Sequence, residues 1–346
     1  MAGHLSLPVG DKGKVLPATM SALVLIEPGR AEIRDVEVET PGPGELLIEV
    51  LAANTCGTDL KAFRRGHPQF PTPCRFGDEY SGKVAAAGAG AKFEVGDEVM
   101  GVHSAPCGEC RLCTRAKENL CETVMSTKVM GSYARYLLVP DRIASRHVFG
   151  KPAHLSHAAA ACLEPLACVA HGLDAAQPRA DDRVLVIGPG AVGLLFVAAL
   201  RVSGVRNVTL AGRNPARLAV GTQQGASAVQ WPPNGEFDVV VECTGSVEVW
   251  EVAHSLVAPG GTLVLFGGCP AGSLVQFDTG RLHYAETRVL SPFHFTTRDV
   301  VQARDWLVEG GIDPSPILAG ERPLSDAVEV FSDLASGKGI KYTLVP

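Results

Sequence analysis

No apolar stretch in this sequence reaches the ~18 residues that a spanning helix needs, so a membrane-embedded protein is not expected. A basic run is also missing. With 31 Lys+Arg against 37 Asp+Glu and a formal charge of −6, the electrostatic footprint of a general nucleic-acid binder is absent. The first 19 residues carry Gly, Pro and Lys but no apolar core of signal-peptide length. They are expected to form a mobile N-terminal extension, with Met20 a candidate natural start and the cytoplasm the expected compartment. Internal repeats and low-complexity tracts are lacking too. Hydrophobic residues at 46% and charged residues at 20% sit near globular averages, which excludes a solvated tail. A chain of 346 residues, at roughly 100 to 200 per domain, is expected to hold about two domains.

Cysteine is not scarce. Of ten, six are scattered (Cys56, Cys74, Cys162, Cys168, Cys243, Cys269), while Cys107, Cys110, Cys113 and Cys121 fall within fifteen residues. In a chain large enough to need no staples and without a secretory signal, a disulfide framework is the weaker reading. The spacing Cys107-x2-Cys110-x2-Cys113-x7-Cys121 suits closed tetrahedral thiolate coordination of Zn2+, and it differs from the usual iron–sulfur spacings. Four protein ligands leave no position for substrate, so this zinc is expected to be structural, in a lobe over 107–121. Four unbound thiols on a polar loop are the competing reading.

From Met20 to about Val139, short β-branched or alternating runs broken by turn signals predict an antiparallel β region with irregular loops. Leu155 to Ala176 is Ala-rich and predicts helix, kinked or ended at Pro165. The texture then changes. RVLVIGPGAVGLLFVAALRVSG reads as strand, glycine turn and helix; NVTLAGR, FDVVVECTG and GGTLVLFGG read as strands buried on both faces. Strands alternating with helices predict an α/β, doubly wound parallel sheet. Beyond Thr296, DVVQARDWLVEGG and LSDAVEVFSDLASGKG predict helices and IKYTLV a last strand.

Gly188, Pro189, Gly190, Val192 and Gly193 stand between a strand and a helix, the context in which a G-x-G-x-x-G turn brings a pyrophosphate to a helix N-terminus. These are candidate cofactor-binding residues. In an NAD site an acid roughly 20 positions on meets the ribose 2′-hydroxyl. Here Gly212 occupies that place, followed by Arg213, with Arg217 nearby. Loss of the carboxylate and gain of a guanidinium favour a 2′-phosphate, so NADP is expected. NAD with relaxed specificity is the alternative.

The segments CGTD (from Cys56), GDEYSG (from Gly77), the cysteine lobe, EPLACVAHG (from Glu164) and GPGAVG come in an order that resembles the zinc-dependent medium-chain alcohol and polyol dehydrogenases. The resemblance spans essentially Met20 to Pro346, and EPLA is similar to the sorbitol and threonine dehydrogenase branch. It implies a GroES-like β-rich catalytic domain over 20–172 and 296–346 and a Rossmann domain over 173–295. It also implies a catalytic zinc in the cleft between them, with Cys56 as first ligand, and assembly as a homo-dimer or homo-tetramer. Where relatives read Gly-His-Glu, this sequence reads Gly77-Asp78-Glu79. Asp78 thus replaces a histidine ligand. Glu79 and Glu164 are each candidate ligands, and a helix-start carboxylate is the bland reading of Glu164. A shell of Cys56, Asp78 and Glu79 is more anionic than one with a neutral histidine, which weakens the metal as a Lewis acid and loosens selectivity for zinc.

By the same resemblance Thr58 passes the substrate proton through its hydroxyl, and Lys61 stands where relatives carry a histidine relay. Lys341, in GKGIK, is expected near Glu79 or the cofactor phosphates, and Thr244 and Gly245 near the nicotinamide. Tyr80, His67 and His294 are weaker pocket candidates. The reaction implied is hydride exchange between NADP(H) and a secondary alcohol or ketone, most plausibly a polyol, sugar or cyclitol. An amino alcohol such as threonine is the runner-up. The reading from another class is a catalytically impaired NADPH-binding protein with a structural zinc lobe, which Asp78 and Lys61 favour.

Overall fold

The structure is a computed structural model that describes residues 16–68 and 70–346. Of the extension expected over 1–19, residues 1–15 lie outside the described residues; Leu16 is buried and Thr19 opens the first strand. Chain proximity divides the molecule into two compact units, Met1–Glu164 with Leu318–Pro346, and Pro165–Ile317. The sequence boundaries stood instead at 172/173 and 295/296. Among the described residues no helix is long and apolar enough to cross a membrane.

The first unit contains β1 (Thr19–Glu27), β2 (Arg30–Glu37), β3 (Leu46–Asn54), α1 (Gly57–Arg65), β4 (Cys74–Arg75), β5 (Glu79–Ala87), β6 (Glu98–Gly101), β7 (Tyr136–Val139), α2 (Asp141–His147), β8 (Val148–Gly150) and α3 (His157–Ala160). The division between the units falls within α4 (Leu163–Ala176). The second unit contains β9 (Arg183–Ile187), α5 (Ala191–Val202), β10 (Asn207–Gly212), α6 (Pro215–Gln223), β11 (Ser227–Gln230), β12 (Phe237–Glu242), α7 (Val247–Ser255), β13 (Val257–Leu265), α8 (Thr279–Tyr284), β14 (Arg288–Leu290) and α9 (Thr297–Val308). The chain then returns to the first unit with β15 (Leu318–Pro323), α10 (Ala327–Ala335) and β16 (Lys341–Val345).

In the first unit β3 is the hub: β16, β5 and β7 all pair with it antiparallel. Side chains alternate across a strand, so Leu46, Ile48 and Val50 enter one core while Leu47 enters a second with Met20 and Ala22. Burial on both faces is why LLIEVLAAN reads as almost unbroken apolar sequence. Phe331 of α10 stacks on Phe63 of α1 and on Phe76, with ring centroids 5.4 and 5.5 Å away, which ties the C-terminal helix to the start of the unit. The predicted antiparallel character is present, with β15 and β16 a parallel exception. The helix expected over 155–176 breaks at Ala161–Cys162, ahead of Pro165. Pro165 sits in the first turn of α4, where a missing N–H removes no helical bond.

The second unit is one parallel sheet in the order β11-β10-β9-β12-β13-β14. Counted from β9, this is 3-2-1-4-5-6. Strand order therefore reverses between β9 and β12, and a doubly wound sheet binds ligands beyond the carboxyl ends of its strands at that switch point. The turn that follows β9 and the loop that follows β12 lie there.

Candidate active site

In the cysteine lobe, none of the four residues is disulfide-bonded and their sulfurs all lie within 4.8 Å of one another. Cys107 and Cys113 are 3.9 Å apart and Cys110 and Cys113 3.5 Å. A tetrahedron of Zn–S bonds near 2.3 Å has edges of about 3.8 Å, so the cage has the size zinc requires. Backbone amides support the sulfurs: Cys107 N donates to Cys121 Sγ and Cys110 N to Cys107 Sγ, both at 3.3 Å. Burial pushes the Cys121 thiol up, but amide donors from Cys107 and Thr123 outweigh it and hold it down to about 6. That shift favours the thiolate, the form a metal ligand must take.

A second donor cluster forms where β3, α1 and β5 meet. Ligand atoms of Cys56, Asp78 and Glu79 lie within 4.8 Å of one another. Cys56 is the N-cap of α1, and its sulfur accepts from Asp59 N at 3.3 Å. Thr58 and Lys61 follow on the same helix, both half-buried. Asp78 is 9% exposed and its Oδ1 has no hydrogen-bond partner among the described residues. Both oxygens of Glu79 accept from Lys341 Nζ at 2.6 Å, and the third ammonium proton goes to the Thr55 carbonyl at 2.7 Å. Those three bonds use every donor of Lys341, which is 1% exposed, so no proton is left for a cofactor phosphate. Of the two neighbours expected for Lys341, Glu79 is the one these bonds reach.

Charge in this cluster is unbalanced. Burial, then Asp59, Asp78 and Glu79 in that order, push the Cys56 thiol well up. Burial raises Glu79 to about 8 against the pull of Lys341, and burial followed by Asp78 raises Asp59 to about 7. Four acidic groups crowd one buried ammonium, and a divalent cation held by Cys56 and Asp78 would supply the positive charge that the set lacks. Thiolate and carboxylate donors with an unsatisfied oxygen fit such an ion. Glu164, second residue of α4, has its Oε1 3.5 Å from His103 Nδ1 and is 7% exposed.

In the second unit Gly188 follows β9 with φ +103°, a left-handed conformation that favours glycine, and its N–H donates to Ala211 O at 2.9 Å. A Cβ at Gly193 would stand 2.0 Å from the Gly188 carbonyl oxygen, so only glycine lets α5 approach the strand this closely. Gly190 caps α5 without a side-chain bond and has open space around it. Val192, the second residue of α5, follows it in the helix's first turn. Gly212 ends β10, Arg213 is exposed, and Arg217 is half-buried in the first turn of α6, where Asn214 accepts from its amide at 3.2 Å. Beyond β12, Glu242 Oε1 accepts from Thr244 N at 2.6 Å and from the Thr244 hydroxyl, and Oε2 accepts from Gly245 N at 3.1 Å and Trp250 Nε1 at 2.8 Å.

Residues 42–148 match the alcohol dehydrogenase GroES-like domain and residues 191–309 the zinc-binding dehydrogenase domain. The D-altritol 5-dehydrogenase of Agrobacterium fabrum is 31% identical over 327 residues, covering 90% of this chain and 95% of that protein. This chain belongs to the zinc-dependent medium-chain dehydrogenases. It is an oxidoreductase of that family with a GroES-like and a Rossmann-type region. The dehydrogenase is also 28% identical over 346 residues to the L-threonine 3-dehydrogenase of Deinococcus radiodurans, covering 94% and 97% of the two chains. A zinc-binding dehydrogenase of Sinorhizobium meliloti bound to NADP superposes with a TM-score of 0.85 at 30% identity, covering 95% of this chain and 100% of that one.

Several residues of the dehydrogenase site gave no signal in the sequence. Tyr133 donates to Asp59 Oδ2 at 2.5 Å, with Asn54 O 3.1 Å from the same hydroxyl, which locks the carboxyl group beside Cys56. Lys128 Nζ lies 5.0 Å from the Phe70 ring centre, and Asp78 and Asp59 offset the lowering of its pKa by burial. Glu242 was visible only as part of the strand VVVEC, although it ties down the loop that carries Thr244 and Gly245.

Proposed function

We propose that the chain is an NADP-preferring, zinc-containing dehydrogenase of secondary alcohols in the polyol and sugar class, working in the cytoplasm as a homo-oligomer. The observation that carries this reading is the cluster of Cys56, Asp78 and Glu79 next to Thr58, with a separate four-sulfur cage in the same unit. When bound, a divalent metal at Cys56 and Asp78 supplies Lewis-acid polarisation of an alcohol oxygen, and the nicotinamide accepts the hydride. The chain does the rest. Thr58 offers a hydroxyl that accepts the alcohol proton while donating its own, and Lys61 lies one helical turn further on. Glu79 stays behind Asp78, held in place by the two bonds from Lys341. Gly212 removes the carboxylate that would repel a 2′-phosphate, and Arg213 and Arg217 offer it cationic partners. The polyol and sugar class is supported by likeness to D-altritol 5-dehydrogenase. A threonine-type amino alcohol is the second reading, supported by likeness to L-threonine 3-dehydrogenase.

The test is cofactor reduction with a panel of polyols, sugar alcohols and L-threonine, with metal content measured in parallel. With Asp78 in place of histidine the donors around a bound metal would be more anionic, and an alcohol held there would ionise at a higher pH. Asp78→His is therefore expected to retain zinc more firmly through dialysis and to move the alkaline pH optimum down. Equal metal retention and superimposable pH profiles would sink the assignment of Asp78 as a ligand. Retained NADPH binding with no turnover of any alcohol or ketone would favour the impaired binding protein.

A further inference from the structure

At the carboxyl end of β10, Gly212 lies under the ring of Pro189. A Cβ added at Gly212 would stand 2.3 Å from Pro189 Cδ and 2.4 Å from its Cγ, well inside any real carbon–carbon contact. The next neighbour, Leu218 Cδ2 at 3.6 Å, is in ordinary contact. The obstruction is therefore the proline ring alone. A long side chain could swing aside, but Cδ is bonded to the backbone nitrogen, so the ring moves only if the turn moves. That turn is anchored by the φ of +103° at Gly188 and by the bond from Gly188 N to Ala211 O, the residue just before Gly212.

We propose that Pro189 and Gly212 form a steric lock that sets cofactor specificity: the proline ring excludes any side chain from the position where an acid would meet the ribose 2′-hydroxyl. Resting on the NADP reading above, it makes the preference a property of a residue pair rather than of Arg213 and Arg217 alone. The 2′-phosphate site is kept free of carboxylate because one cannot be built there while Pro189 remains. Two residues 23 apart along the chain are thereby coupled, one in the phosphate turn and one at the end of the neighbouring strand. Pro189→Ala removes both obstructing atoms and leaves the Cβ, so it opens the lock with the least change elsewhere.

The test compares the dissociation constants of NADPH and NADH, by quenching or nicotinamide fluorescence, for the native chain, Gly212→Asp, Pro189→Ala and the double variant. Gly212→Asp alone is expected to weaken both cofactors at least about tenfold, because the turn must shift to admit the side chain. Pro189→Ala alone keeps the native order of preference. The double variant recovers NADH and loses NADPH, moving the ratio by about 100-fold toward NADH. If Gly212→Asp alone binds NADH as well as the double variant does, the lock is wrong. A variant that does not fold is covered by Gly212→Ala, whose Cβ already meets the ring: its melting temperature should fall, and adding Pro189→Ala should restore it. No difference between those two melting temperatures also overturns the lock. A native chain that binds NADH more tightly than NADPH refutes the NADP reading, while the coupling between the two positions is judged on its own by the variants.

Discussion

Lys341 and Glu79 are each about 1% exposed at the side chain and lie 262 residues apart, bonded through both carboxylate oxygens. Removing one partner of a buried pair leaves the other charged without compensation, which typically costs about 3–5 kcal/mol. Lys341→Met is therefore expected to lower the urea midpoint severely, and Glu79→Gln/Lys341→Met to recover part of the loss. Two variants of equal stability, both close to native, would show that the pair carries no such weight. The basic residue of GKGIK could be associated with the acid after Asp78 through family likeness. That its protons are exhausted there could not be read, because it depends on the Thr55 carbonyl reaching the same ammonium. Tyr133 and Lys128 were illegible for a related reason. Each meets the cluster from a loop whose sequence has no periodicity to place it, whereas Cys56 and Asp59 share one helix start and are legible as a motif.

At the level of elements, apolar periodicity revealed what burial on both faces produces. β9, β10, β12 and β13 are Val- and Leu-rich because they are the inner strands of the parallel sheet. The outer strands β11 and β14 are mostly exposed and short, so no hydrophobic run marks them. The start of α9 is set by polar chemistry. Thr296 and Asp299 form a reciprocal capping box, and His171 of α4 donates to the same carboxylate at 2.9 Å. Burial pushes the Asp299 carboxyl up, but donation from His171 and Thr296 outweighs it and holds the carboxyl below its ordinary range. A carboxyl depressed by folding gives stability that is present above its unfolded value of about 3.9 and is lost as pH falls through the lower folded value. Asp299→Asn is accordingly expected to be less stable than native at pH 7, by about 1 kcal/mol or more. The gap in melting temperature should narrow between pH 5 and pH 3, and a gap that stays constant over that range would contradict the ionised carboxylate as its source.

Across the whole molecule, the chain crosses between its two compact units at 164/165 and 317/318. The later boundary follows from β16, which inserts between β15 and β3 and so returns the C-terminal segment to the first sheet. Both candidate metal sites fall in this first unit, and every residue of the dinucleotide turn and strand end falls in the second. The two metal sites differ in kind: four sulfurs close one cage, while the other offers one sulfur and carboxylates that compete with Lys341. Selective loss is the consequence. Stepwise chelation of the zinc-loaded protein, followed with a chromophoric metal indicator, is expected to release one equivalent per chain readily and the second only slowly. The first loss should abolish alcohol oxidation and leave NADPH binding unchanged. The second should raise amide hydrogen exchange across residues 107–121, where backbone N–H groups are held by the cysteine sulfurs. Release of both metals in one step, or loss of NADPH binding with the first, would mean that the sites are not independent in the way the donor sets require.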